Sequence, residues 1–113
     1  MSVTSDVKLK MCRQVVAAAG TRIALVTGPR DFYLCKAIRI RAYATNTGNI
    51  YIGGENRVSA TDYSDILAPG ELWTAKVEDL GKDKYINMTQ IWLDADVSGD
   101  GVSFTALMES EPY

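Results

Sequence analysis

The chain predicts an all-β fold: an antiparallel β-sandwich, jelly-roll-like or Ig-like, or a small barrel of about seven to eight short strands. Three observations carry this. Apolar and polar residues alternate with period two in several segments, turn residues recur about every 8–12 positions, and no segment shows an apolar stripe at helical spacing. The 113 residues, 47% hydrophobic and 23% charged, suit one domain spanning residues 1–113, with no repeat, low-complexity tract or linker. A domain of this size buries only about 60–70% of its unfolded surface, so covering by a partner or by like copies would add stability.

Residues 7–11 (VKLKM) alternate apolar and basic, predicting a strand with an apolar buried face and a cationic outer one. Residues 1–14 together form a candidate extended arm. Residues 15–19 (VVAAA) have a helix former's alanines, but Gly20 follows within a turn and valines lead, so the segment reads as strand. Residues 21–26 form another extended segment, closed by a Gly28-Pro29 loop. Residues 38–42 (IRIRA) repeat the alternation and residues 50–52 (IYI) continue it. Between them, Asn46-Thr47-Gly48-Asn49 reads as a tight reversal, because glycine and asparagine tolerate positive φ; this predicts a hairpin.

Residues 53–56 give a turn and 59–65 a polar loop. Ala68-Pro69-Gly70-Glu71 has the chemistry of a type II turn, with proline at its second position and glycine at its third. In the strand that follows, Trp73, Ala75 and Val77 share the core face, opposite Leu72, Thr74 and Lys76. Residues 78–84 read as an exposed connection. Residues 91–97 alternate again, predicting Ile91, Leu93, Ala95 and Val97 inside and Trp92, Asp94 and Asp96 outside. Residues 98–101 then turn into a last strand at 102–106, and 109–113 form a frayed tail.

Composition removes several chemistries. The chain has no histidine, which excludes Ser-His-Asp and Cys-His nucleophiles, imidazole-ligated zinc and imidazole proton shuttles. Residues 1–10 contain no apolar h-region, so a cytoplasmic start is expected. Cys12 and Cys35 match no CxxC pattern and read as reduced, small core residues. No segment is apolar enough to predict a membrane span. With a pI near 5.0 and no dense basic run, nucleic acid is not an expected partner.

The net charge of −2 conceals an asymmetry: residues 1–57 carry nine Lys/Arg against three Asp/Glu, and residues 58–113 carry three against eleven. Either strands from both halves interleave and the charges average out, or faces of opposite sign guide copies or a partner into register.

Four segments, VVAAAGTRIAL (15–25), ATNTGNIYIGG (44–54), ILAPGELW (66–73) and IWLDADVSGDGVSFTAL (91–107), together resemble a family of small structural proteins of tailed bacteriophages. The resemblance spans about residues 15–107 and rests on the order and spacing of motifs that are mainly turn chemistry. It implies a β domain of the virion, either a capsid decoration or cement protein or part of a head fibre, spike, collar or tail. The chain departs from the family pattern at 81–90 (GKDKYINMTQ), a longer link, and in its basic start at Lys8 to Arg13.

One segment resembles a cation loop: Asp94, Asp96, Ser98 and Asp100 lie at EF-hand-like spacing with Gly99 in the turn. The match fails at the last ligand position, which is Thr105, and the flanks alternate as strands, so the carboxylates read as solvated and no metal or other cofactor is expected. No pair among Asp62, Asp65, Glu71, Glu78 and Asp79 is selected for acid–base work, and no enzymatic activity is expected. Outward aromatics beside arginine suit an interface. Arg39, Arg41, Tyr43, Tyr51 and Trp92 are therefore contact candidates, with Lys8 and Lys10 on the basic arm. The expected function is a non-enzymatic decoration protein on the assembled head, acting as a homo-oligomer whose partners are the major capsid protein or other virion proteins. A fibre-base, collar or tail component is the alternative, and a carbohydrate-binding module stacking sugars on Trp92 and the tyrosines is a second.

Overall fold

The computed structural model describes residues 7–28, 33–77 and 84–109. Ten strands occur among them, all paired antiparallel, as the alternation predicts. The first sheet has the order β1(Val7–Val15), β10(Gly101–Glu109), β4(Ala37–Ala42), β7(Leu72–Lys76). The second has the order β2(Ile23–Ala24), β9(Trp92–Ala95), β5(Ile50–Gly53), β6(Asp65–Leu67). A ribbon of β3(Leu34–Cys35) and β8(Ile86–Asn87) stands beside them, and Met88–Gln90 form one 3₁₀ turn. No helix among the described residues is long and apolar enough to cross a membrane.

The core lies between the two sheets. Ile38, Ile40 and Ala42 of β4 and Val102, Phe104 and Ala106 of β10 meet Ile50 and Ile52 of β5 and Leu93 and Ala95 of β9 in one buried cluster. In β4 Arg39 and Arg41, alternating with buried Ile38, Ile40 and Ala42, are exposed, and in β7 Trp73 and Ala75 pack on the core. The turn at 68–71 forms as predicted, with Glu71 N–H donating to the Ala68 carbonyl and Gly70 at φ +83°.

Several expectations need correction. The reversal at 46–49 is no hairpin: β4 pairs with β10 and β7, whereas β5 pairs with β6 and β9, so residues 43–49 carry the chain from one sheet to the other. No described residue other than glycine has positive φ, and Gly48 serves close approach instead, since a Cβ there would stand 2.9 Å from Asp96 Cβ. Residues 17–20 turn instead of extending a strand, and the segment read at 21–26 is strand only at Ile23–Ala24.

The first segment is not a free arm. All nine residues of β1 pair with β10, from Val7 opposite Glu109 to Val15 opposite Gly101. Its faces are also reversed from the expectation. Lys10 and Cys12 stand opposite the inward Ala106 and Phe104, which turns Leu9 and Met11 outward at 67% and 78% exposure. Cys35 is buried as predicted, and Cys12 is exposed on the edge strand. Glu109, counted in the frayed tail, belongs to β10; residues 1–6, 29–32, 78–83 and 110–113 lie outside the described set, as do most of the 78–84 connection and the rest of the tail.

Candidate docking face

Three connections between the sheets meet at one end of the molecule: residues 16–22, 43–49 and 96–100. The acidic segment read as a cation loop binds them together. Asp94, predicted outward, is 2% exposed, and its Oδ1 accepts from the N–H groups of Gly20 and Ala95. Ser98 Oγ accepts from Ala19 N–H at 2.9 Å. Asp100, also buried, accepts from Thr47 and Gly48 N–H at 3.1 and 2.9 Å. Asp96 accepts from Asn49 N–H and, at 2.7 Å, from the Tyr51 hydroxyl. Beside them Asn46 pairs both ways with the Gly101 backbone, as a strand residue would. Carboxylates beside orphan N–H groups replace the water those groups lose on burial. No group of three or more potential metal ligands is found among the described residues.

This arrangement relocates the predicted contacts. Tyr51 belongs to the second sheet, away from Arg39 and Arg41, and is only 7% exposed, covered by the Tyr63 ring at 5.1 Å. Its hydrogen bond to Asp96, then burial, push its phenol up to about 12. Trp92 lies on the outer face of the second sheet, opposite Ala24 and Gly53, and is half-buried there. Val97, expected in the core, is exposed, and Cys35 is held as a thiol, pushed up to about 11 by burial. Tyr51 and Trp92 therefore form no open aromatic platform with Tyr43, which follows β4 in the other sheet.

The outer face of the first sheet gathers the remaining candidates. Strand registers place Leu9, Met11, Arg13 and Val15 of β1 beside Leu107, Thr105 and Ser103 of β10. The same row continues through Ala37, Arg39 and Arg41 of β4 to Lys76, Thr74 and Leu72 of β7. Tyr43 adds its ring at the end of β4, within 3.1 Å of the position a Cβ on Gly101 would take. Leu9, Met11, Val15 and Leu72 are exposed apolar side chains on that face. Arg41 donates to the Gly70 carbonyl, whereas Arg13 and Arg39 have no partner among the described residues. No Asp or Glu occupies this face among the described side chains. Lys10 is turned to the other side, its ammonium 4.7 Å from the Tyr33 ring centroid, and Lys8 is placed only by its backbone pairing with Met108.

Sequence reasoning put Arg39, Arg41, Tyr43 and Leu72 on the outer side of their strands but missed Leu9, Met11 and Val15. Apolar residues in an alternating segment read as core, and only the register with β10 turns them out.

A concavity of about 290 Å³ lies across the molecule, lined by Gly53, Glu55, Arg57, Asp62 and Tyr63. Arg57 there is paired with Glu55 and Asp62, all well exposed, which leaves it little to offer a ligand.

A scan against protein-family models finds no match. Searches of curated proteins and of solved structures likewise find none.

Proposed function

We propose that this chain is a non-enzymatic structural protein of a bacteriophage particle, a decoration protein that docks on the assembled capsid through the outer face of its first sheet. The observation that carries the docking reading is that face itself: exposed Leu9, Met11, Val15 and Leu72 interleaved with arginines that have no acidic partner among the described residues. Apolar side chains mixed with arginine are the composition of protein interfaces, and a patch of one charge sign selects a partner of the other. The virion address comes from the four motifs at 15–25, 44–54, 66–73 and 91–107. Docking on the assembled shell stabilises it by mass action, because the protein binds the assembled state and not its separated subunits.

The test is cosedimentation of the purified chain with undecorated capsids. Wild type is expected to pellet with the shells and to raise their resistance to heat. Arg39→Glu, which reverses charge at an exposed position without touching the core, is expected to weaken binding at least tenfold. Failure of the wild type to bind any phage shell or assembled virion part would end this reading.

A further inference from the structure

The four edge strands of the two large sheets differ in a way that singles out β1. β2 has two residues, β6 three and β7 five, while β1 has nine. Short edges resist pairing with other chains, as do prolines and bulges. β1 is long, contains no proline and runs against β10 in unbroken register.

Its backbone direction follows from the residue after it. Val16 N–H donates to the Asp100 carbonyl and the Val16 carbonyl accepts from Gly99 N–H, so Val16 turns both groups toward β10. Successive strand residues turn theirs to opposite sides. The even residues of β1 therefore serve the β10 ladder, and Val7, Leu9, Met11, Arg13 and Val15 turn their backbone groups to the open edge. Val15 N–H is already satisfied by Gln14 Oε1 at 3.1 Å. Among the described residues, the edge is left open from Val7 to Arg13, in a nine-residue strand whose midpoint is Met11.

We propose that this edge is a self-association site, on which β1 of a second copy pairs antiparallel about a two-fold axis through Met11. Met11 then faces its own symmetry mate, Leu9 faces Arg13 of the second copy, and Lys10 faces its Cys12. No cation lies directly opposite another in this register. Axes at Lys10 or Arg13 place like charges face to face, which is destabilising. An axis at Cys12 leaves Val7 and Lys8 opposite residues beyond β1, whereas the axis at Met11 pairs all nine residues of the strand. The Lys10 ammonium, drawn over Tyr33, is parked away from the joint.

The two first sheets merge into one of eight strands, and the apolar and cationic outer faces of both copies become continuous. The site rests on the edge geometry and holds whether or not the partner of that face is a capsid. An edge contact covers less than the roughly 1,600 Å² of a standard interface, so the dimer is concentration-dependent.

Light scattering on a dilution series of the full chain tests this. Wild type is expected to shift from monomer to dimer with concentration, and Met11→Pro to stay monomeric with an unchanged thermal melt. Proline there removes an N–H that faces the open edge and none from the β10 ladder. Should that variant unfold, Lys10→Cys decides: mild oxidation is expected to link it to Cys12 of a second copy, since non-hydrogen-bonded pairs bring side chains closest. A wild type still monomeric at submillimolar concentration, a dimer that survives Met11→Pro, absence of the Lys10→Cys cross-link, or a Cys12–Cys12 disulfide in the wild type would each overturn the proposal.

Discussion

Asp94 and Asp100 each hold two backbone N–H groups where three chain crossings meet. Truncating either to alanine leaves donors without an acceptor in a place water reaches poorly. Asp94→Ala and Asp100→Ala are each expected to lower stability by about 1–3 kcal/mol, read from the urea midpoint. Tyr51 gives a pH signature at the same end of the molecule. Its folded phenol is raised to about 12 by the bond it donates to Asp96. The unfolded phenol titrates near 10. Its contribution to stability is complete below that lower value and is lost as pH rises through the folded one. An alkaline absorbance titration is expected to show a late-ionising step that is absent from Tyr51→Phe.

At the level of strands and connections, closeness of backbone decides more than turn propensity. Gly101 begins β10 where β1 ends, and a Cβ there would stand 2.5 Å from the Gln14 carbonyl oxygen and 3.0 Å from Val15 Cα. Both are backbone atoms, so relief requires the strands to part. Gly101→Ala is expected to cost about 1–3 kcal/mol, as overpacking does, and to speed amide exchange along the last turns of the β1–β10 ladder. Glycine and asparagine at 46–49 do reverse the chain, yet local turn chemistry does not say which sheet receives it. The receiving sheet is set by Asp100 and Asp96, about fifty residues downstream, gripping Thr47, Gly48 and Asn49. The same tethers, with Ala19 on Ser98 and Val16 on Asp100, lock β1 in its register. A slip of one residue would turn Leu9 and Met11 inward and Lys10 out.

Over the whole molecule, the sheets divide the charge that the net value of −2 conceals. The outer face of the first sheet carries Arg13, Arg39, Arg41 and Lys76, drawn mostly from the basic half of the chain. Exposed Glu55, Asp62 and Asp65 cluster at the β5–β6 edge of the second. Docking through the basic face should therefore weaken as salt rises, because exposed charges beyond about 10 Å are screened at 0.1 M. A capsid-binding isotherm repeated at increasing ionic strength checks this, with Arg39→Glu expected to flatten the dependence.

Amino-acid pattern alone determined the all-β class, the in-out faces of β4 and β7 and the turn at 68–71, because period-two alternation and proline–glycine chemistry act within a few residues. It also placed Arg39, Arg41 and Tyr43 on one side. Tertiary structure alone decided which sheet each strand joins, that the acidic segment is spent on neighbouring backbone, and that the apolar residues of β1 face outward. Alternation defines two faces of a strand without saying which is covered. The partner strand decides that, and for β1 the partner is β10, at the far end of the chain.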